Sequence, residues 1–262
     1  MAKVNLSFPI SGKMGNYSFY HMAGAKHIVI RLKGGPTKEQ IKTHPKFYRQ
    51  RKNMCEFAGC SKAAAYISSA LFGFKPLSNA NYMGRLTQLC GSVLKMSDDD
   101  PGKRPVLFSR FGHLLPGFNV NTNTSFDDLV LQYTPSTISR TECSATINFP
   151  PMLPGVNLKA PEGFAYCRLI GILGILPDML LEGKSYMPTT KECNPFMERT
   201  GWIPMSGFYH GETMKLKLAR KTMEEENGIL ILSVGIEFGS NLKGEGIITK
   251  QGIGGGKILA VG

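Results

Sequence analysis

The sequence predicts an α+β chain, mainly β: an N-terminal basic β-hairpin plus two helices over residues 1–100, then an antiparallel β-sandwich or partly closed barrel over 101–262. Three observations predict it. Two short runs near the N-terminus alternate with the period of a strand, and between about 45 and 96 apolar residues recur at helical spacing. From 104 onward, short β-rich runs are separated by Gly/Pro turns, the pattern of sandwiches and barrels. With 262 residues, 42% of them hydrophobic, the chain is long enough to bury a substantial core.

The hairpin is expected from runs 16–22 and 27–33, separated by Ala23-Gly24-Ala25-Lys26. In the first, Tyr17, Phe19 and His21 alternate with Ser18, Tyr20 and Met22. In the second, Ile28, Ile30 and Leu32 alternate with His27, Val29, Arg31 and Lys33, so one face is apolar and the other aromatic and basic. Gly34-Gly35-Pro36 stops the second strand. A helix follows over 45–71, with Thr43 or His44 as cap, Pro45 preset for the first turn, Gly73 as terminator and Phe47, Met54, Phe57, Ala58, Ala65 and Leu71 near helical spacing. A second helix over 79–96 sets Tyr82, Leu86, Leu89, Cys90, Val93 and Leu94 on one stripe, and Ser97-Asp98-Asp99-Asp100-Pro101-Gly102 ends it at the expected domain boundary. Strands are then predicted over 104–110, 137–149, 164–176, 212–219, 228–238, 246–250 and 257–261, with a short helix near 125–131 and a hairpin turn at Asn227-Gly228.

Charge is unevenly spread. Residues 1–96 hold fifteen Lys/Arg against Glu39 and Glu56, a net of +13, while residues 97–262 hold sixteen against seventeen acids, a net of −1. A segment so charged calls for an anionic partner, a solvated face or an acidic neighbouring subunit. Lys46, Arg49, Arg51 and Lys52 crowd the first turns of a helix, the wrong end for cations beside its dipole, which invites an anion. The strongest constellation is the interleaving of Lys13, Tyr17, Tyr20, Lys26, Arg31 and Lys33 with Lys46, Tyr48, Arg49, Arg51 and Lys52. Cations neutralise phosphates and rings stack on bases, which suits nucleic acid. The same arm also suits docking on the acidic surface of a second copy, with the hairpin adding to a sheet edge.

Other chemistries find little support. Gly252-Ile253-Gly254-Gly255-Gly256-Lys257-Ile258 has the wrong spacing for a phosphate loop and no following helix, so it reads as a turn before a last strand. The five histidines show no ligand spacing, and a zinc site from His44, Cys55 and Cys60 gives way to ordinary packing. The six scattered cysteines read as reduced, buried thiols. Asp98–Asp100 reads as an exposed helix end, and Glu224-Glu225-Glu226 as a solvated hairpin tip. No triad signature is present, and no cofactor or small-molecule substrate is expected. The apolar run 169–176 is interrupted by Gly171 and Gly174 and reads as a buried strand, no membrane span is expected, and the N-terminus lacks a secretory signal, which together predict a soluble cytoplasmic protein.

Ser11-Gly12-Lys13-Met14-Gly15-Asn16, followed by Tyr20, Gly24, Val29, Arg31 and the basic Gln50-Arg51 helix, resembles the openings of an uncharacterised group of small basic proteins from Bacteroidetes. Those combine a GK-x-G-N hairpin and a Gln/Arg-rich helix with a β-sandwich-like remainder. The resemblance covers roughly the first 60 residues, departs at Pro36-Thr37-Lys38-Glu39-Gln40, and implies a domain plan but no activity. The preferred expectation is a non-enzymatic structural or assembly protein that self-associates through its β-rich body and basic arm; the alternative is a nucleic-acid-binding protein.

Overall fold

The computed structural model describes residues 2–4, 10–22, 27–32, 34–191, 194–219, 228–242 and 246–262. The chain forms two compact units, Met1–Arg51 and Lys52–Gly262.

The first unit is built on strands β1 (Ala2–Val4), β2 (Gly12–Met14), β3 (Tyr17–His21) and β4 (Ile28–Leu32), in the order β1-β4-β3-β2 with every pairing antiparallel. The expected hairpin is the β3/β4 pair, and its loop and Lys26 lie outside the described residues. Helix α1 (Lys38–Thr43) follows, opened by a capping box: Thr37 accepts from the Gln40 N–H while the Gln40 side chain accepts from the Thr37 N–H. A 3-10 turn, Pro45–Phe47, then leads into α2 (Tyr48–Ala70), with His44 as its cap and Pro45 in the first position. The helix expected over 45–71 is present with that one tighter turn at its start.

The second unit is mainly β. Its helices are most of α2, α3 (Tyr82–Lys95), α4 (Phe108–Phe111) and α5 (Phe126–Leu129), with a 3-10 segment at Phe72–Leu77. Its strands are β5 (Ser136–Ser139), β6 (Ser144–Phe149), β7 (Tyr166–Leu176), β8 (Met179–Glu182), β9 (Ser185–Pro188), β10 (Phe196–Arg199), β11 (Ile203–Pro204), β12 (Glu212–Lys217), β13 (Ile229–Leu242) and β14 (Gly246–Val261). They form an open sheet β10-β7-β13-β14 with β11 also on β7, a second sheet β12-β6-β5 and a hairpin β8-β9, all antiparallel and none closed into a barrel.

The larger sheet is the middle of three layers. Cys167, Leu169, Leu173 and Ile175 of β7 and Leu230, Leu232, Val234, Ile236 and Phe238 of β13 pack against Ala145, Ile147, Met214 and Leu216 of the smaller sheet. From the opposite face, Ile170, Ile172, Leu176, Ile229 and Ile231 pack against α2, α3 and Phe74. A strand covered on both faces needs no polar alternation, which is why 169–176, its two glycines apart, is apolar at every position.

The two compact units divide in sequence at Arg51/Lys52, and α2 and α3 share one core with β7 and β13. Two expectations are corrected. Residues 104–110 hold one bridging residue, Val106, before turning into α4. The glycines at 254–256 form no turn between two strands: they lie inside β14, where Gly255 pairs with Ile236 and Gly256 with Gly235. A side chain at Gly256 would meet the Phe74 ring at 3.0 Å and one at Gly235 would meet it at 2.5 Å, so these positions stay bare to seat that ring. Asn227 of the predicted turn, Glu224–Glu226 and Cys193 lie outside the described residues.

Candidate functional site

The register of the N-terminal sheet sorts its side chains into two faces. Met14 stands opposite Tyr17, Tyr17 opposite Leu32, and Phe19 opposite Ile30, which makes one face apolar; Met14 (69%), Leu32 (59%) and Tyr17 (50%) are exposed. On the other face Lys13 stands opposite Ser18 and Ser18 opposite Arg31, one unbroken row across three strands, with Tyr20 two residues along β3. Tyr17 and Tyr20, grouped in the basic and aromatic constellation, sit on opposite faces, as the alternation of the first run requires. A cavity of about 480 Å³ is lined by Lys13, Ser18, Arg31, Leu32, Gly34 and Gly35. Neither Lys13 nor Arg31 has a carboxylate within ion-pair distance among the described residues. Lys26 and Lys33 lie outside the described residues.

The cations on the helices are not equivalent. Arg51 donates from Nη1 to the carbonyls of Ile41 at 2.8 Å and His44 at 2.9 Å, fastening the end of α1 to the start of α2. With these two bonds it caps orphan helix carbonyls. Lys46, Tyr48 and Arg49 are exposed at the helix start, whereas Lys52 lays its stem beside Gly102. Elsewhere in the basic third, Lys62 donates to Ser185 Oγ and the Tyr186 carbonyl, and Arg85 to the carbonyls of Asn119 and Val120. Part of the positive charge is therefore structural.

Helix α2 turns most of the stripe expected of it to solvent, although Leu71 just past its end is buried. Its buried residues are Gly59, Cys60, Ala63, Ala64, Ile67 and Ala70, all small but Ile67, which lets the backbone approach β7; a side chain at Gly174 would meet the Ala70 Cβ at 3.0 Å. Met54 (56%) and Phe57 (66%) are exposed, as are Ala58, Ser61 and Ala65. Met54, Ala58, Ser61 and Ala65 follow the four-three-four spacing of a coiled-coil seam.

The larger sheet carries a charged cluster that sequence patterning missed. Glu237 on β13 stands directly opposite Arg168 on β7. Its Oε1 accepts from Arg168 Nε and lies 3.3 Å from Arg199 Nε, while the Arg168 guanidinium lies over the Trp202 ring at 4.4 Å. Glu237 borders an open groove of about 530 Å³ with Phe72, Lys75, Leu77, Lys250 and Ile253. Because two guanidiniums share one carboxylate oxygen, Glu237 acts as a brace across the sheet and not as a free base. The signal was present as single charges, Arg168 and Glu237, inside two mostly apolar strands.

Burial raises the pKa of the Cys60, Cys90 and Cys167 thiols. Burial, with Glu56 nearby, pushes Cys60 up to about 11, and burial alone pushes Cys167 up to about 12. Asp178, also buried, accepts from the Ser109 N–H and hydroxyl and is satisfied as a structural group. Among the described residues, no group of three or more His, Cys, Asp or Glu is placed to hold a metal, and no helix is long and apolar enough to cross a membrane. No family model, curated protein or solved structure matches the chain.

Proposed function

We propose that this is a non-enzymatic structural protein that self-associates, with α2 as a contact between copies. The observation that carries the reading is the exposed seam of Met54, Ala58, Ser61 and Ala65, flanked by Phe57. The seam is self-complementary: two copies packed antiparallel about a point between Gly59 and Cys60 place Met54 over Ala65 and Ala58 over Ser61. Met54 then meets a small residue, and the pairing is reciprocal, as a two-fold interface requires. From Met54 to Ala65 the helix advances only about 17 Å, so the seam alone falls short of the roughly 800 Å² per partner of a standard interface. The exposed apolar face of the N-terminal sheet, with the short edge strand β2, supplies a second surface that a neighbouring copy can cover or extend.

Sedimentation velocity over a concentration series at low salt tests this, comparing the native chain with Met54→Glu/Phe57→Glu. The native chain should form a species larger than a monomer, and the double variant should return to monomer with an unchanged far-UV circular dichroism spectrum, since both positions are exposed. A native chain that stays monomeric at high concentration, or a double variant that associates equally well, refutes the proposal.

A further inference from the structure

We infer that the basic face of the N-terminal sheet is a binding site for single-stranded nucleic acid, an activity separate from self-association. Strand pairing draws Lys13, Ser18 and Arg31, from three different strands, into one row. Adjacent strands run about 4.8 Å apart, so two cations flank a hydroxyl within the reach of one phosphate or of two successive ones. Gly34 and Gly35 close the row with backbone that carries no side chain, and the cavity between them, about 480 Å³, has the size of a nucleotide-scale ligand site. The one acidic residue in the first 51 is Glu39, on α1, against ten Lys/Arg. Nothing in the row itself neutralises Lys13 or Arg31.

Charge alone would suit any anion, and Tyr20 narrows the class. It is 37% exposed and shares its face with Ser18 because the two are separated by one residue on β3. A ring beside a phosphate-sized cationic row matches the repeating unit of a single strand, in which a charged backbone alternates with an unstacked base. A duplex hides its base faces, an acidic peptide carries none, and an anionic membrane offers no ring to stack on. The apolar face, with Tyr17, is the opposite side of the same sheet, so nucleic acid and a second copy need not compete for one surface.

Fluorescence anisotropy of a labelled oligo(dT) with the full chain, titrated across a salt series, tests the inference. Lys13→Gln/Arg31→Gln should weaken binding at least tenfold and flatten the log–log salt dependence by about 1.4, roughly 0.7 for each phosphate left without its cation. Tyr20→Ala should weaken binding roughly ten- to a hundredfold without changing that slope, and Tyr17→Ala should leave binding unchanged. Met54→Glu/Phe57→Glu should also retain it, which separates failure of this inference from failure of the assembly reading. Equal losses at Tyr17 and Tyr20, no loss in the Lys13/Arg31 variant, or polyglutamate and anionic vesicles competing as strongly as unlabelled oligo(dT) would each overturn it.

Discussion

Arg49 and Arg51 are chemically identical and two positions apart, yet the structure gives them different work. Arg51 bridges two carbonyls ten and seven residues behind it, while Arg49 is exposed at the start of α2. Hydrogen bonds from a charged donor contribute about 1.5–3 kcal/mol each when buried, and less here because the site is partly exposed. Arg51→Ala should therefore loosen the corner between α1 and α2, which hydrogen exchange would read as faster exchange of the Ile41 and His44 amides. Arg49→Ala should leave those amides as they were. If both substitutions accelerate exchange equally, the fastening role of Arg51 is wrong.

The clearest element is α2, where neighbouring alanines differ by face. Ala64 is fully buried and Ala65 exposed. Extra methylenes forced into a packed interface cost about 1–3 kcal/mol, while an exposed substitution stays within about 0.5 kcal/mol. Ala64→Leu should thus lower the urea midpoint of the dilute monomer and Ala65→Leu should not. Equal effects would mean that the helix is seated on the wrong face. The same logic governs β14, where Gly256 accepts the Phe74 ring and Gly255 the backbone of Thr124–Phe126: what looks like flexible punctuation is close packing.

For the molecule as a whole, buried thiols link stability to alkaline pH. Cys60 and Cys167 hold their protons to about 11 and about 12 in the fold, against 9.0 unperturbed. Above pH 9 the unfolded chain releases these protons first, so it binds fewer of them than the folded chain and stability falls as pH rises. The contribution is fully present below pH 9 and is lost on the way to pH 12. The unfolding temperature should accordingly be insensitive to these groups at neutral pH and decline above pH 9, and Cys60→Ala/Cys167→Ala should make that decline shallower. An unchanged alkaline slope in the double variant would remove the thiols from the account.

The sequence by itself determined what depends on local periodicity: the alternating faces of β3 and β4, the stripe of α3, the buried run of β7, the cap at His44 and a mainly β, antiparallel class. Each follows from residues within a few positions of one another. Thr37 and Gln40 also carried a capping-box signal for α1, although the helix expectation began only at 45. Tertiary structure alone decided which side of α2 is inside, because Met54 and Phe57 outweigh Ala63 and Ala64 in hydrophobicity but only the small residues let a helix lie close on a sheet. It also decided the three layers, the Glu237 brace and the Lys13–Ser18–Arg31 row. These depend on register and on contacts between residues far apart in the chain, and local patterns encode strand neighbours only within a hairpin such as β3/β4.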